Sequence, residues 1–259
     1  MGCPRSWARL YGRLDRAVIV IDVHPTLRFL LPARSRAVAV RLREDATSTL
    51  GHAVESIGVP LTEVGQLLLD DVPVPVTQRA ATPGRLRVEP VTRPQRALTT
   101  PARFVLDVHL GSLTRRLRLL GLDAAYRNDA DDAELVEQAV AEQRTLLTQD
   151  RGLLRRRALP QGAFVRGTGV DEQADDVLDR FAPSLAPWTR CSACGALLEA
   201  VARERVDEQL RAGTRRTYQS FSHCTGCGRA YWRGAHARRL DVAVLRAERV
   251  VAARSGGFL

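Results

Sequence analysis

The 259-residue chain contains no lysine: all 39 of its basic side chains are arginine. Such an excess is a property of the whole composition, so the formal net charge of +10 does not by itself point to nucleic acid. There is also no apolar run near the ~18 residues needed to cross a bilayer. The first 17 residues, MGCPRSWARLYGRLDRA, lack the apolar stretch and small-residue cleavage site of a secretory signal. A membrane span and export are thereby disfavoured, and a soluble cytoplasmic protein of two or three small domains is expected. The start matches the loose M-G-x-x-x-S acylation pattern, a match short enough to arise by chance. Cysteine is scarce as well. Four of the five cysteines fall in two C-x-x-C pairs, which suits a reducing compartment where thiolates hold metal better than they form disulfides.

Position carries more information than total charge. Residues 1–16 carry +3, residues 17–95 +1, residues 96–188 −1 and residues 189–259 +7. Four zinc-bound thiolates would lower the last block to about +5, still the most basic large block and a candidate phosphate-binding surface.

Three segments separate on pattern. Residues 17–95 give an apolar strand (VIVIDV), a turn-rich stretch (LPARSR), a short strand (AVAVRL) and an amphipathic helix over Leu50 to Ile57 capped by Ser48. Further strands follow at Gln66 to Leu69 and Leu86 to Val91. That order predicts a small α+β domain of the β-grasp type. Residues 92–101 (TRPQRALTTP), with two prolines and no apolar periodicity, read as a linker. Residues 102–188 alternate strand and helix. RFVLDV is a strand, and Leu110, Leu113, Leu117 and Leu120 line one helical face, with Arg115, Arg116 and Arg118 away from it and Gly121 at its end. A strand at Ala124 to Tyr126, a helix over Ala133 to Gln143, and strands TLLT and Ala163 to Val165 complete a parallel α/β sheet.

Residues 189–240 open with the knuckles C-S-A-C-G and C-T-G-C-G, separated by 29 residues. Cys191, Cys194, Cys224 and Cys227 are the expected ligands of one zinc ion. Gly195 and Gly228, directly after each second Cys, permit the positive φ that turns backbone amides toward thiolates. Four thiolates close the tetrahedral shell and leave no position for a substrate water, so this zinc is structural. The spacing between the two pairs permits a β-hairpin insertion, and the stretch from Glu199 to Tyr218 is polar and needs the metal for cohesion. His223 and His236 are possible substitute ligands, and Cys3 stands alone.

A second constellation is acidic. Asp107 ends the first strand of the α/β segment, Asp150 follows TLLT, and Asp129, Asp131, Asp132 and Glu134 open the helix between them. In open parallel sheets the carboxyl ends of the strands converge on the ligand-binding edge. Carboxylates gathered there call for a hard cation such as Mg²⁺ or Mn²⁺, which serves phosphodiester hydrolysis. The alternative reading makes Asp131 or Asp132 the helix N-cap and leaves Asp129 and Asp150 in solvated turns.

The runs FVLDVHLGSLTRRLRLLGLDAAYRND, DDAELVEQA and RTLLTQDRGLLRRR, then the knuckles and CGRAYWRGAH, resemble the Mut-seven C-terminal RNase family over about residues 102–240. The family's PIN-like nuclease domain ends in a zinc ribbon. VESIGVPLTEVGQLLLDD is similar to the ubiquitin-like domain often fused in front of it. The resemblance implies a ubiquitin-like β-grasp domain, a PIN-like domain and a ribbon. It also implies a Mg²⁺- or Mn²⁺-dependent ribonuclease whose site maps onto Asp107, Asp129, Asp132 and Asp150. Asp107 and Asp150 would be principal ligands, Asp132 would complete the shell, and Asp129 would bind through water or position the nucleophile. The chain departs from the family where Ser112 follows Gly111, a place usually basic, and where a fourth late carboxylate has only Asp171 as a counterpart.

RNA is the expected partner. Arg115 and Arg116, and Arg229 and Arg233 beside Tyr231 and Trp232, are candidate contacts, although the two rings could equally pack the ribbon against the nuclease domain. The ubiquitin-like segment continues into the linker after RVEPV, so it has no free Gly-Gly carboxylate to activate. It reads as a docking or RNA-positioning module. Gly256 and Gly257, followed by Phe258 and Leu259, read as a flexible tail. Two alternatives are a non-catalytic RNA-binding or adaptor protein on the same fold and a protein-interaction module built on the ubiquitin-like domain.

Overall fold

A computed structural model describes residues 17–36, 39–44, 47–80, 83–235 and 237–255; Cys3, the acylation-like start, His236 and the Gly256-Gly257 tail lie outside these. The described residues form two compact units divided between Val91 and Thr92.

In the first unit, β1 (Ala17–Val23), β2 (Val40–Glu44), α1 (Leu50–Ser56), β3 (Val64–Leu69), β4 (Val72–Val74) and β5 (Gly84–Pro90) follow in order. The sheet order is β2-β1-β5-β3-β4, with β1 and β5 parallel and the other pairs antiparallel. This is the expected β-grasp sheet. Alternation in β1 sends Ile19, Ile21 and Val23 inward, where they share burial with Leu50, Ala53 and Val54 of α1. The cap of α1 differs from expectation: Thr49, not Ser48, accepts from the His52 amide. Thr49 is the residue with extended backbone directly before the helix, and this places its Oγ over the free amides.

The second unit contains β6 (Arg103–Leu106), α2 (Gly111–Leu119), β7 (Asp123–Tyr126), α3 (Asp132–Ala141), β8 (Thr145–Thr148), β9 (Gly162–Phe164) and α4 (Val170–Phe181). These four strands are all parallel, in the order β7-β6-β8-β9. Phe104 and Leu106 join Leu113, Leu117, Val177 and Leu178 on one face, while Val105 meets Leu135, Val136 and Ala139 of α3 on the other. The chain therefore leaves β6 toward β7 on one side and returns to β8 on the other. The resulting topological switch point lies at the carboxyl ends of β6 and β8.

Four expectations are corrected. Residues 92–101 do not hang free: Arg93 donates to Asp176 and Asp179 of α4 at 2.8 Å each, and Gln95 accepts from Arg180 Nε at 2.7 Å. Arg118 is 3% exposed rather than turned to solvent. The stretch between the knuckles does not depend on metal alone for cohesion: between its antiparallel strands β10 (Leu198–Val201) and β11 (Phe221–Cys224) it carries two 3-10 turns and α5 (Ala212–Thr217), and Val206 and Leu210 pack on Phe221. One turn of spacing puts that apolar pair on a single side, giving the ribbon a small core of its own. Finally, the chain continues beyond residue 240 as α6 (Ala237–Ser255), which packs on α4 through Val244 and Ala247. The i, i+4, i+7, i+11 series Leu240, Val244, Ala247, Val251 carried that signal.

Candidate active site and metal centre

The two edges of the parallel sheet differ in charge chemistry. At the amino edge every acid is answered by arginine: Asp123 pairs with Arg144 at 2.6 Å and Arg190 at 3.5 Å, and Glu142 with Arg144 at 2.5 Å. Burial opposes it, yet the bonds to Arg144 and Gln138 hold the Glu142 carboxyl below the usual range.

The carboxyl edge is different. Asp107 directly follows β6, is 6% exposed, and has no arginine partner among the described residues. Its amide donates to Leu147 O at 3.1 Å, which fixes it against β8. Its Oδ2 accepts from the Thr148 hydroxyl at 2.6 Å. The same hydroxyl accepts from the Asp150 amide at 2.8 Å. Thr148, fully buried at the end of β8, thus joins the two strand ends that carry Asp107 and Asp150. Asp150 is exposed, and its Oδ1 accepts from the Gly152 amide at 2.5 Å, closing the turn after the strand. Sequence reading missed Thr148. A polar residue closing a buried strand, two before an aspartate, was the available signal.

The other acids sit farther out. Asp131 is the N-cap of α3, in a capping box with Glu134 at 2.9 Å in each direction. Arg127 lies 2.5 Å from Glu134, whose carboxyl it holds below the usual range, and 3.9 Å from Asp129. Asp132, in the first turn of α3, lies 3.7 Å from Arg156. Asp171 pairs with Arg116. Asp107, Asp129, Asp132 and Asp150 form no cluster with ligand atoms within 4.8 Å of one another; among the described residues the four cysteines alone do so.

Those cysteines come from two knuckles joined by the three-stranded antiparallel sheet of β10 (Leu198–Val201), β11 (Phe221–Cys224) and β12 (Ala230–Tyr231). Cys191 Sγ lies 3.7 Å from Cys227 Sγ, and Cys194 Sγ 3.4 Å from Cys224 Sγ. A tetrahedral Zn–S₄ shell with bonds of about 2.3 Å has sulfur-sulfur edges of about 3.8 Å, so the donor set fits a metal such as zinc. Gly195 and Gly228 adopt φ of 87° and 72°, as the knuckles require. The Cys194 and Cys227 amides approach Cys191 and Cys224 sulfur at 3.4 Å. His223 is not in the cluster.

Two side chains support the first knuckle. Tyr231 Oη lies 3.0 Å from Cys191 Sγ. Despite burial, that bond and the Cys194 amide bring the Cys191 thiol down to about 6. The Cys194 thiol is pushed up to about 12, by burial first. Arg118 extends from α2 beneath the knuckle, donating from Nε to Ala124 O at 2.9 Å and from Nη1 to Ala193 O at 2.6 Å. Burial lowers its pKa, while Cys194 and Cys191 oppose the shift.

The candidate RNA contacts divide by environment. Arg115 and Arg229 are exposed; Arg116 is held by Asp171, and Arg233 lies 2.5 Å from Asp241 with its guanidinium 5.0 Å from the Trp188 ring. Of the two rings left open between stacking and packing, Tyr231 is tied to the knuckle, whereas Trp232 is 38% exposed.

A family model described as the Mut7-C RNAse domain matches residues 102–244, and one described as Mut7-C ubiquitin matches residues 16–96. The first match spans both the acidic edge and the cysteine cluster. No curated protein and no solved structure matches the chain.

Proposed function

The chain belongs to the Mut7-C RNAse domain family, and from that premise we propose that its second unit hydrolyses RNA phosphodiester bonds at the carboxyl edge of the parallel sheet, using Mg²⁺ or Mn²⁺. The observation that carries this reading is Asp107. A buried carboxylate with only a hydroxyl and no arginine beside it lacks a counter-charge, and it lies at the topological switch point where open sheets bind ligands. No described residue donates to Asp107 Oδ1, which suits a cation ligand.

Asp107 and Asp150 hold the cation from adjacent strand ends. Asp132 completes the shell from the first turn of α3. Asp129, on the exposed loop before that helix, orients the attacking water. A divalent cation bound there lowers the pKa of a water and offsets charge on the phosphate. Thr148 keeps Asp107 and the Asp150 backbone in register. Zn²⁺ on the four cysteines staples the ribbon, whose Arg229 and Arg233, with Arg115 and Arg116 on α2, attract RNA phosphates. Cysteines that hold a metal and form no disulfide suit a reducing cytoplasm. The ubiquitin-like unit serves as a docking module for a protein partner. Among the described residues no helix is long and apolar enough to cross a membrane.

The test is cleavage of labelled single-stranded RNA in Mn²⁺. Wild type should cut and Asp107→Asn should lose at least about 100-fold in rate, a loss in the range of one electrostatic catalytic contact; equal rates would refute the assignment. One observation favours a second reading, a non-catalytic RNA-binding protein on this fold: Asp132 and Asp129 lie beside Arg156 and Arg127 rather than gathering with Asp107. Divalent-metal binding separates the two, since the second reading gives RNA affinity with no Mn²⁺ bound at the acidic edge.

A further inference from the structure

A cleft of about 550 Å³ lies between α2, the start of α6 and the face of the ribbon. Its volume falls in the range of sites that enclose a small molecule or a nucleotide. Its wall chemistry is one-sided: four arginines, 115, 116, 190 and 233, line it with three aromatic rings, and no carboxylate is among the described residues that line it. Asp171, Asp241 and Asp123 engage Arg116, Arg233 and Arg190. Arg115 differs: its partner is the Ser112 hydroxyl at 3.2 Å, and no described carboxylate pairs with it. Of the rings, Tyr231 is held by Cys191 and Trp188 is covered by the Arg233 guanidinium. Trp232 keeps 38% of its surface open. The cleft therefore offers one cation with no described carboxylate partner, one partly exposed indole, and the hydroxyls of Ser220 and Ser222, while the Ser192 hydroxyl lies 3.3 Å from Tyr231 Oη.

We propose that this cleft is a nucleotide subsite: it takes one unpaired nucleotide of single-stranded RNA, with the base against Trp232 and the phosphate at Arg115. The proposal rests on the ribonuclease reading for the identity of the polymer. A planar base with an anionic phosphate matches an aromatic face beside a cation, and a purely aliphatic or cationic ligand does not. The location suits a neighbour of the scissile bond. The 3-10 turn Val108–Leu110 follows Asp107 directly and runs into α2, and Arg115 lies about 6 Å along the helix axis from Gly111. RNA leaving the acidic edge along α2 reaches the cleft within a few nucleotides. Stacked bases of a duplex cannot enter, so the subsite selects single strands.

The test measures binding apart from cleavage. Full-length Asp107→Asn protein, without added divalent metal, is titrated with a fluorescein-labelled single-stranded RNA of eight uridines, and the same substitution is combined with Arg115→Ala, Trp232→Ala or Trp232→Phe. The expected result is about tenfold weaker binding for Arg115→Ala and for Trp232→Ala, the loss of one phosphate contact or one stacked base, with Trp232→Phe within about threefold of the parent. A duplex of equal length should bind more weakly and be insensitive to Trp232. Uridine monophosphate as competitor distinguishes a free nucleotide from the polymer: the subsite as proposed binds the octamer more tightly. If the alanine variants bind like the parent, or uridine monophosphate competes as well as the octamer, the proposal is overturned. To cover a Trp232 variant that fails to fold, RNA carrying 5-iodouridine is photo-crosslinked to the wild type, and adducts confined to peptides lacking both Trp188 and Trp232 would also overturn it. Cleft-dependent binding without any cleavage by wild type refutes the ribonuclease reading alone. Cleavage with cleft-independent binding refutes the subsite alone.

Discussion

Replacing Thr148 with valine removes one hydroxyl from the junction of two strands while keeping the side chain's shape. The side chain is fully buried, so water cannot take the hydroxyl's place. Two interactions go: the bond to Asp107 Oδ2 at 2.6 Å and the one accepted from the Asp150 amide at 2.8 Å. A hydrogen bond to a charged group contributes about 1.5 to 3 kcal/mol, and a neutral one about 0.5 to 1.5. The half-exposed Asp150 amide recovers part of its loss from water, so the sum expected is about 2 to 4 kcal/mol. With a urea m-value of about 2 kcal/mol/M, the midpoint of the second unit should fall by about 1 to 2 M. The assay is urea unfolding followed by tryptophan fluorescence, since Trp188 and Trp232 both lie in that unit, with RNA cleavage in Mn²⁺ measured alongside. Thr148→Ser is the control. It keeps the hydroxyl and loses a methyl, which costs about 1 kcal/mol. A valine variant within 0.5 kcal/mol of wild type, or no worse than the serine variant, would refute the claim that this hydroxyl organises the acidic edge.

Three further outcomes follow from the same geometry. Arg118→Leu should weaken zinc binding by about 10- to 100-fold in chelator competition, because the side chain that holds the Ala193 carbonyl beneath the first knuckle is lost; wild type should bind one zinc per chain. The Asp179 carboxyl, despite burial, is held below its usual range by Arg254 and Arg93. A depressed folded-state pKa means that its contribution is fully present above the unfolded value of about 3.9 and is lost as pH falls through the folded value. The acid limb of stability should therefore flatten in Asp179→Asn, read by thermal melts between pH 6 and the acid end. Gly121→Ala should destabilise by at least about 2 kcal/mol in urea melts, since φ is 82° and a Cβ would stand 2.0 Å from Ala186 O.

What the sequence alone determined follows from local rules. Short β-branched or apolar runs such as VIVIDV and TLLT, too short for a helix, and the i, i+3, i+7 leucine series of α2 follow local rules, so the β-grasp strands and the alternating α/β elements were legible. The knuckles were legible for the same reason: a C-x-x-C-G turn carries its own geometry, and Gly195 and Gly228 take the positive φ that their position requires. Asp131 as N-cap was one of two local options, and the capping box with Glu134 selected it.

The tertiary structure decided matters that depend on which surfaces meet. Arg118 belongs to the polar side of its helix by periodicity, but the ribbon folds over that side, and the carbonyls of Ala124 and Ala193 draw the guanidinium inside. Residues 92–101 have linker composition, but Arg93 and Gln95 find partners on α4. Asp107 and Asp150 are 43 positions apart in the chain, and only parallel pairing of β6 with β8 brings the Asp107 carboxylate and the Asp150 amide to one threonine hydroxyl. Periodicity fixes which way a side chain leaves its own element. What it meets there is set by packing between elements distant in sequence.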